Sequence, residues 1–149
     1  MGFQDAIRTC LKEKYATFQG RAARSEFWYF MLFTLLVGIV LVGLGLLTGG
    51  TGAYNGRGIS GLAWVFFGAY GLFYIAVLVP IIAVSVRRLH DRNMSGWWYL
   101  GMILASLIPL VGTVASIAFI VICALKGTDG ENKYGHDPLK GPDNAEIFS

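Results

Sequence analysis

The chain has 149 residues, 55% hydrophobic and 14% charged, with a mean hydropathy of +0.58 and a net charge of +3. That is one domain's worth of chain, and its composition lies far outside that of soluble domains. Its apolar residues fall into runs of membrane-span length, which excludes an ordinary soluble core. Its bases cluster outside those runs, as the positive-inside rule arranges them, which argues against nucleic-acid binding.

Residues 3–19 place Phe3, Ile7, Leu11, Tyr15 and Phe18 at helical spacing, with Asp5, Arg8, Lys12 and Glu13 elsewhere on the wheel. Beside a membrane this predicts an amphipathic helix lying in the interface; a helix packed on a cytosolic partner is the other reading. Gly20 marks its stop. Myristoylation is not expected, because Ala6 stands where Ser or Thr is wanted.

A polar block, Gly20-Arg21-Ala22-Ala23-Arg24-Ser25-Glu26, leads into a first predicted span over 27–47. Phe27, Trp28 and Tyr29 supply an aromatic belt at its start. The run is too long for the core of a signal peptide, and no small-residue cleavage site follows it. Residues 48–61 form a glycine-rich loop containing a literal GxGxxG from Gly56 to Gly61. With a span on each side and no strand before it, that match is fortuitous.

The second span is predicted over 61–86, kinked at Pro80, with Gly61, Gly68 and Gly71 either as points of close helix approach or simply as the glycines common in membrane helices. Then comes the densest polar block, Arg87-Arg88-Leu89-His90-Asp91-Arg92-Asn93-Met94-Ser95-Gly96. On a continuing helix Asp91 can pair with Arg87 or Arg88. Asn93 or Ser95 can cap the next helix, and Trp97 and Trp98 anchor it at the headgroup level. Read more plainly, this block is a cytoplasmic turn whose arginines set topology.

The last apolar run, 97–125, is too long for one straight span and too short for two. Pro109 and Gly112 break it. It is either one kinked helix of about 43 Å or a short helical hairpin that returns the tail to its starting side; the hairpin is preferred. Residues 126–149 form a polar tail, expected to be cytoplasmic. Its acids miss the EF-hand pattern because Lys133 stands where an oxygen ligand should be. Cys10 and Cys123 have neither CxxC nor metal-ligand spacing, so no disulfide, metal or cofactor is expected.

Three blocks occur in order: Gly20-Arg21-x-x-Arg24-x-Glu26-Phe27-Trp28; Arg87-Arg88-Leu89-His90-Asp91 with Ser95-Gly96-Trp97-Trp98; and Lys126-Gly127-Thr128 through Gly130-Glu131-Asn132-x-Tyr134-Gly135-x-Asp137-Pro138. Together they resemble the YhaH-like family of small bacterial inner-membrane proteins, a domain of unknown function. The resemblance covers about residues 3–138 and departs only in the long first loop. It implies a bacterial inner-membrane location and no particular activity.

The expected fold is all-α: a polytopic membrane domain with an interfacial helix, two full spans and a Pro-broken third segment, both termini cytoplasmic. Arg21, Arg24, Glu26, Arg87, Arg88, His90, Asp91, Arg92 and Asp137 are then expected on one face as a structural or anion-binding network. Arginines outnumber carboxylates, and guanidinium forks suit phosphate. The expected function is a non-enzymatic scaffold or regulator binding anionic lipid or a protein partner, as a possible homo-oligomer. An oligomeric transporter or channel component is the alternative, drawn from the helix break. An enzyme using His90 and Asp91 ranks below both, because neighbours on a helix point apart and no nucleophile accompanies them.

Overall fold

The computed structural model describes residues 1–53 and 55–140. Tyr54 of the glycine-rich loop and 141–149 of the expected tail lie outside the described residues. The described residues form five α-helices and no strand: α1 Phe3–Arg8, α2 Arg24–Leu47, α3 Gly61–Asp91, α4 Trp97–Ala105 and α5 Pro109–Ala124. The chain divides into two compact units, Met31–Val79 and the remainder, which joins Met1–Phe30 to the stretch beginning at Pro80.

The unit Met31–Val79 is an antiparallel helical hairpin. Phe33 meets Phe73 edge to face at 6.0 Å. A Cβ on Gly38 would touch the Tyr70 ring at 3.2 Å, and one on Gly45 would lie 2.5 Å from the Phe67 ring. Aromatics of α3 thus sit over glycines of α2. This corrects the close-approach reading of Gly61, Gly68 and Gly71, which have nothing within 4 Å of an added Cβ. Ser60 starts α3, its Oγ accepting from Ala63 N at 3.1 Å and donating to Thr48 O.

α2 and α3 are 24 and 31 residues long, and only 11% of the most apolar window of each is buried. A soluble core helix would be mostly buried. Here Leu35, Ile39, Leu72 and Ile75 face outward instead, as they do where lipid is the solvent. At 1.5 Å per residue the helices run to about 36 and 46 Å, longer than the ~30 Å hydrocarbon core. Both are long enough for their charged ends, Arg24–Glu26 and Arg87–Asp91, to lie beyond such a core.

In the other unit, the N-terminal helix is shorter than the expected 3–19. α1 passes into one wide π-type turn over Thr9–Glu13, and the chain then leaves helical geometry at Lys14. Ala6, Thr9 and Cys10 are its buried side, while Phe3, Tyr15 and Phe18 stay exposed. The apolar stripe faces out and the small residues face in, an arrangement that suits a helix in the interface and a helix packed on a partner alike.

α3 continues through Pro80 to Asp91, five residues past the expected end of the span. It stops in a Schellman motif: Met94 N donates to Leu89 O at 3.0 Å and Asn93 N to His90 O at 2.9 Å. Asn93 takes the left-handed conformation with φ 59°. Asn93 therefore closes α3 and does not open α4, and Ser95 offers Trp97 N only a 3.4 Å contact.

α4 leaves this end and α5 comes back to it, so the third apolar segment is a hairpin. Pro109 opens α5 at its first turn, and the extended Ile108 before it is the conformation that proline imposes. A Cβ on Gly112 would lie 2.7 Å from Ser106 Cα, so the reversal depends on that glycine. Tyr99 and Phe119 hold the arms together at 5.4 Å.

Candidate functional site

The polar residues predicted for one face converge where α2 begins and α3 and α5 end. Arg87 and Arg88 are completely buried, Arg21 is 5% exposed, Glu26 2% and Asp91 4%. Buried charges are sustained only by pairing and hydrogen bonding, and the pairing here is specific.

Asp91 is shared. Its Oδ1 accepts from Arg21 Nε at 2.9 Å and Nη2 at 2.8 Å, and its Oδ2 accepts from Arg88 Nη1. Of the two helical partners open to Asp91, it takes Arg88. Arg87 turns to Glu26, in the first turn of α2, where a carboxylate also favours the positive helix end. Arg87 Nε and Nη2 are buried with no hydrogen-bond partner.

The excess of arginine over carboxylate is met by main-chain carbonyls. Arg88 donates to Cys123 O at 3.0 Å, to Leu125 O, and to Ala22 O at 3.4 Å. Arg92 reaches Lys126 O, and Arg24 reaches Ala124 O at 3.4 Å. Three arginines thus cap the C-terminal end of α5, whose last carbonyls have no helical partner. Arg21 gathers the tail loop, donating to Thr128 O and Gly130 O at 2.5 Å and to Gly135 O at 3.3 Å.

The tail returns the favour to α3. Thr128 N and Oγ1 donate to Asp91 O at 2.8 and 2.9 Å, and Asn132 Nδ2 donates to His90 O at 3.0 Å. The Tyr134 ring stacks on His90 at 3.9 Å. Gly127 lies so close to Asp91 that an added Cβ would stand 2.5 Å from its carboxyl carbon. Gly127, Thr128, Asn132 and Tyr134 were not singled out as site residues from the sequence, although they stand in its third block.

One expectation changes. Asp137 makes no ion pair with the arginines; it shapes the loop, accepting from Leu139 N at 3.0 Å and Gly130 N at 3.2 Å. His90 and Asp91 form no acid–base pair, since Asp91 faces two guanidiniums and His90 Nδ1 lies 3.1 Å from Gly20 O. Trp28, Trp97 and Trp98 are exposed at 39%, 77% and 58%. At the helix break, Ser106 and Thr113 direct their hydroxyls to Ile103 O and Pro109 O.

Cys10 lies beside Glu26, and burial together with that carboxylate pushes its thiol up to about 12. Thiolate is therefore scarce at neutral pH and the group is inert. The Asp137 carboxyl is held below its ordinary value, first by the Leu139 amide, then by Gly130 N and the charges of Arg21 and Lys140. A depressed folded value contributes stability above the ordinary value of about 3.9, and that contribution is lost as pH falls through the folded one. Amide protection factors in 128–137, taken relative to the intrinsic exchange rate, are thus expected to fall in acid, below about pH 4, and Asp137→Asn to abolish that dependence.

Among known proteins, the family described as "Protein of unknown function (DUF805)" matches residues 15–136. The inner membrane protein YhaH of Escherichia coli K12 is 37% identical over 130 residues, 87% of this chain and 93% of its own. The inner membrane protein YhaI of the same strain is 31% identical over 129 residues, covering 87% and 92%. The uncharacterized protein YiiR is 30% identical over 142 residues, covering 81% and 85%. No solved structure matches the chain at a significant level.

Proposed function

This chain belongs to the DUF805 family of unknown function, and from that premise we propose a non-enzymatic inner-membrane module that scaffolds or regulates by holding anionic lipid. It crosses the bilayer with α2 and α3, re-enters with the α4–α5 hairpin, and keeps both polar ends in the cytoplasm. The positive-inside rule supports that orientation, since the bases gather at one end of α2 and α3.

The observation that carries this reading is the division of labour among the bases. Arg21, Arg87 and Arg88 are buried in internal bonds, whereas Lys12, Arg24, Lys126, Lys133 and Lys140 remain exposed. The sequence placed the anion-binding charge on Arg87 and Arg88, but burial gives those two an architectural role. Bases near an anionic surface contribute about 1 kcal/mol each.

Converting Lys12, Arg24 and Lys126 to glutamine together is expected to weaken retention of anionic lipid roughly ten- to hundredfold in native mass spectrometry. The unfolding midpoint should fall only slightly, since Arg24 gives up one 3.4 Å bond to Ala124 O and Lys126 one exposed pair with Asp129. Equal retention by the folded variant would refute the lipid-holding role.

A further inference from the structure

A second feature of the same unit is a groove of about 570 Å³ between the last turns of α3 and the start of α4. Its walls are apolar: Phe18, Ile82, Val86, Leu100 and Ile103. His90, Ser95 and Gly96 close one end, beside the exposed Trp97. Such volume falls within the ~300–1,000 Å³ of small-molecule sites. From Ile82 to His90 the groove follows α3 for about 12 Å.

The polar end has a defined hydrogen-bonding state. Gly20 O only accepts, so His90 Nδ1 carries the proton that bridges the 3.1 Å between them. In the neutral ring Nε2 is then an acceptor, and it takes no hydrogen bond from any described residue. Gly96 stands over it. Gly96 has φ −60° and ψ −20°, a conformation open to any residue, so its backbone does not require glycine. What it supplies is space: a Cβ would lie 3.5 Å from Nε2 and 2.6 Å from a Val86 methyl.

In a bilayer the apolar walls do not discriminate between lipids, because acyl chains are already in an apolar medium. Selection falls to the polar end, where one acceptor waits for a donor in a basic neighbourhood. Lys133 lies 5.0 Å over the Tyr134 ring that stacks on His90. Positive surroundings favour a phosphodiester and disfavour an ammonium donor. A hydroxyl donor satisfies both conditions.

We propose that this groove holds one acyl chain of phosphatidylglycerol, whose glycerol hydroxyl donates to His90 Nε2 while its phosphate lies toward the basic side. The proposal rests on the anionic-lipid reading and names the lipid and the atom that recognises it.

The test compares phosphatidylglycerol with phosphatidylmethanol, which has the same charge but no headgroup hydroxyl, by native mass spectrometry of the full chain from mixed nanodiscs. Phosphatidylcholine serves as the uncharged reference. The native chain is expected to prefer phosphatidylglycerol over phosphatidylmethanol about tenfold, the worth of one hydrogen bond. Gly96→Ala, which covers Nε2, and Leu100→Trp, which fills the groove, should each remove that preference while both anionic lipids still exceed phosphatidylcholine. Leu100→Trp leaves the turn untouched and so separates groove loss from misfolding. Equal retention of the two anionic lipids by the native chain, or a preference that survives both variants, overturns the groove and leaves the basic surface standing. Absence of any anionic preference overturns both.

Discussion

Replacing Gly127 with alanine is expected to destabilise the protein by about 3–5 kcal/mol, as an unfolding free energy measured in mild detergent. The added methyl would stand 2.5 Å from the carboxyl carbon of Asp91, and no flexible chain end is available to yield. Either the tail moves off α3 or Asp91 moves off Arg21 and Arg88. The first course loses both Thr128 bonds to Asp91 O. The second leaves two buried guanidiniums short of their shared counter-charge, the situation in which breaking a buried pair is most costly. A neutral result would mean that the tail does not rest on α3 at this point.

Arg88→Gln is expected to cost a similar amount, about 3–5 kcal/mol. Arg88 is fully buried and joins Asp91 of its own helix to Ala22 before α2 and to Cys123 and Leu125 at the end of α5. Glutamine is too short and has too few donors to serve all of them. Arg88→Lys keeps the charge but not the planar fork, so it should recover only part of the loss. Full recovery by lysine would show that charge alone matters and that capping α5 does not. Cysteine scanning along 118–125 offers an independent readout, since release of the α5 end should raise labelling there and leave Met31–Val79 unchanged.

Much of this architecture was legible in the residues. The two long apolar runs, the aromatic belt and the break at Pro109 carry their own physical meaning, and the helices stand where those features put them. That Asp91 pairs with one of Arg87 and Arg88 follows from helical spacing, whereas the choice of Arg88 depends on Glu26 taking Arg87. The ends of elements were harder to read. The stripe from Phe3 to Phe18 keeps helical spacing past Glu13, but the backbone leaves helical geometry at Lys14, which side-chain spacing does not signal. Asn93 is a good first residue of a helix and an equally good left-handed last one, and composition does not choose between them.

The part of the site that sequence could not show is its main-chain half. Arginines counted against carboxylates left a surplus, and the surplus implied an external anion. In the structure it meets the carbonyls of Cys123, Leu125, Lys126, Thr128 and Gly130. Every residue has a carbonyl, so no side-chain pattern announces which ones are left unpaired in space. The glycine at 127 was visible as a turn former, but its closeness to Asp91, 36 positions earlier, depends on the fold.

The central claim is that the block at Arg21, the end of α3 and the tail form one cluster on one side of the membrane. The most direct measurement places paired reporters after Lys140, one active only in the cytoplasm and one only outside it, beside the same pair at the N-terminus. The account predicts cytoplasmic activity at both ends, with Arg21→Gln weakening the fold without changing the side. An external signal after Lys140 would put the tail a membrane away from Arg21, and the cluster could not exist as described.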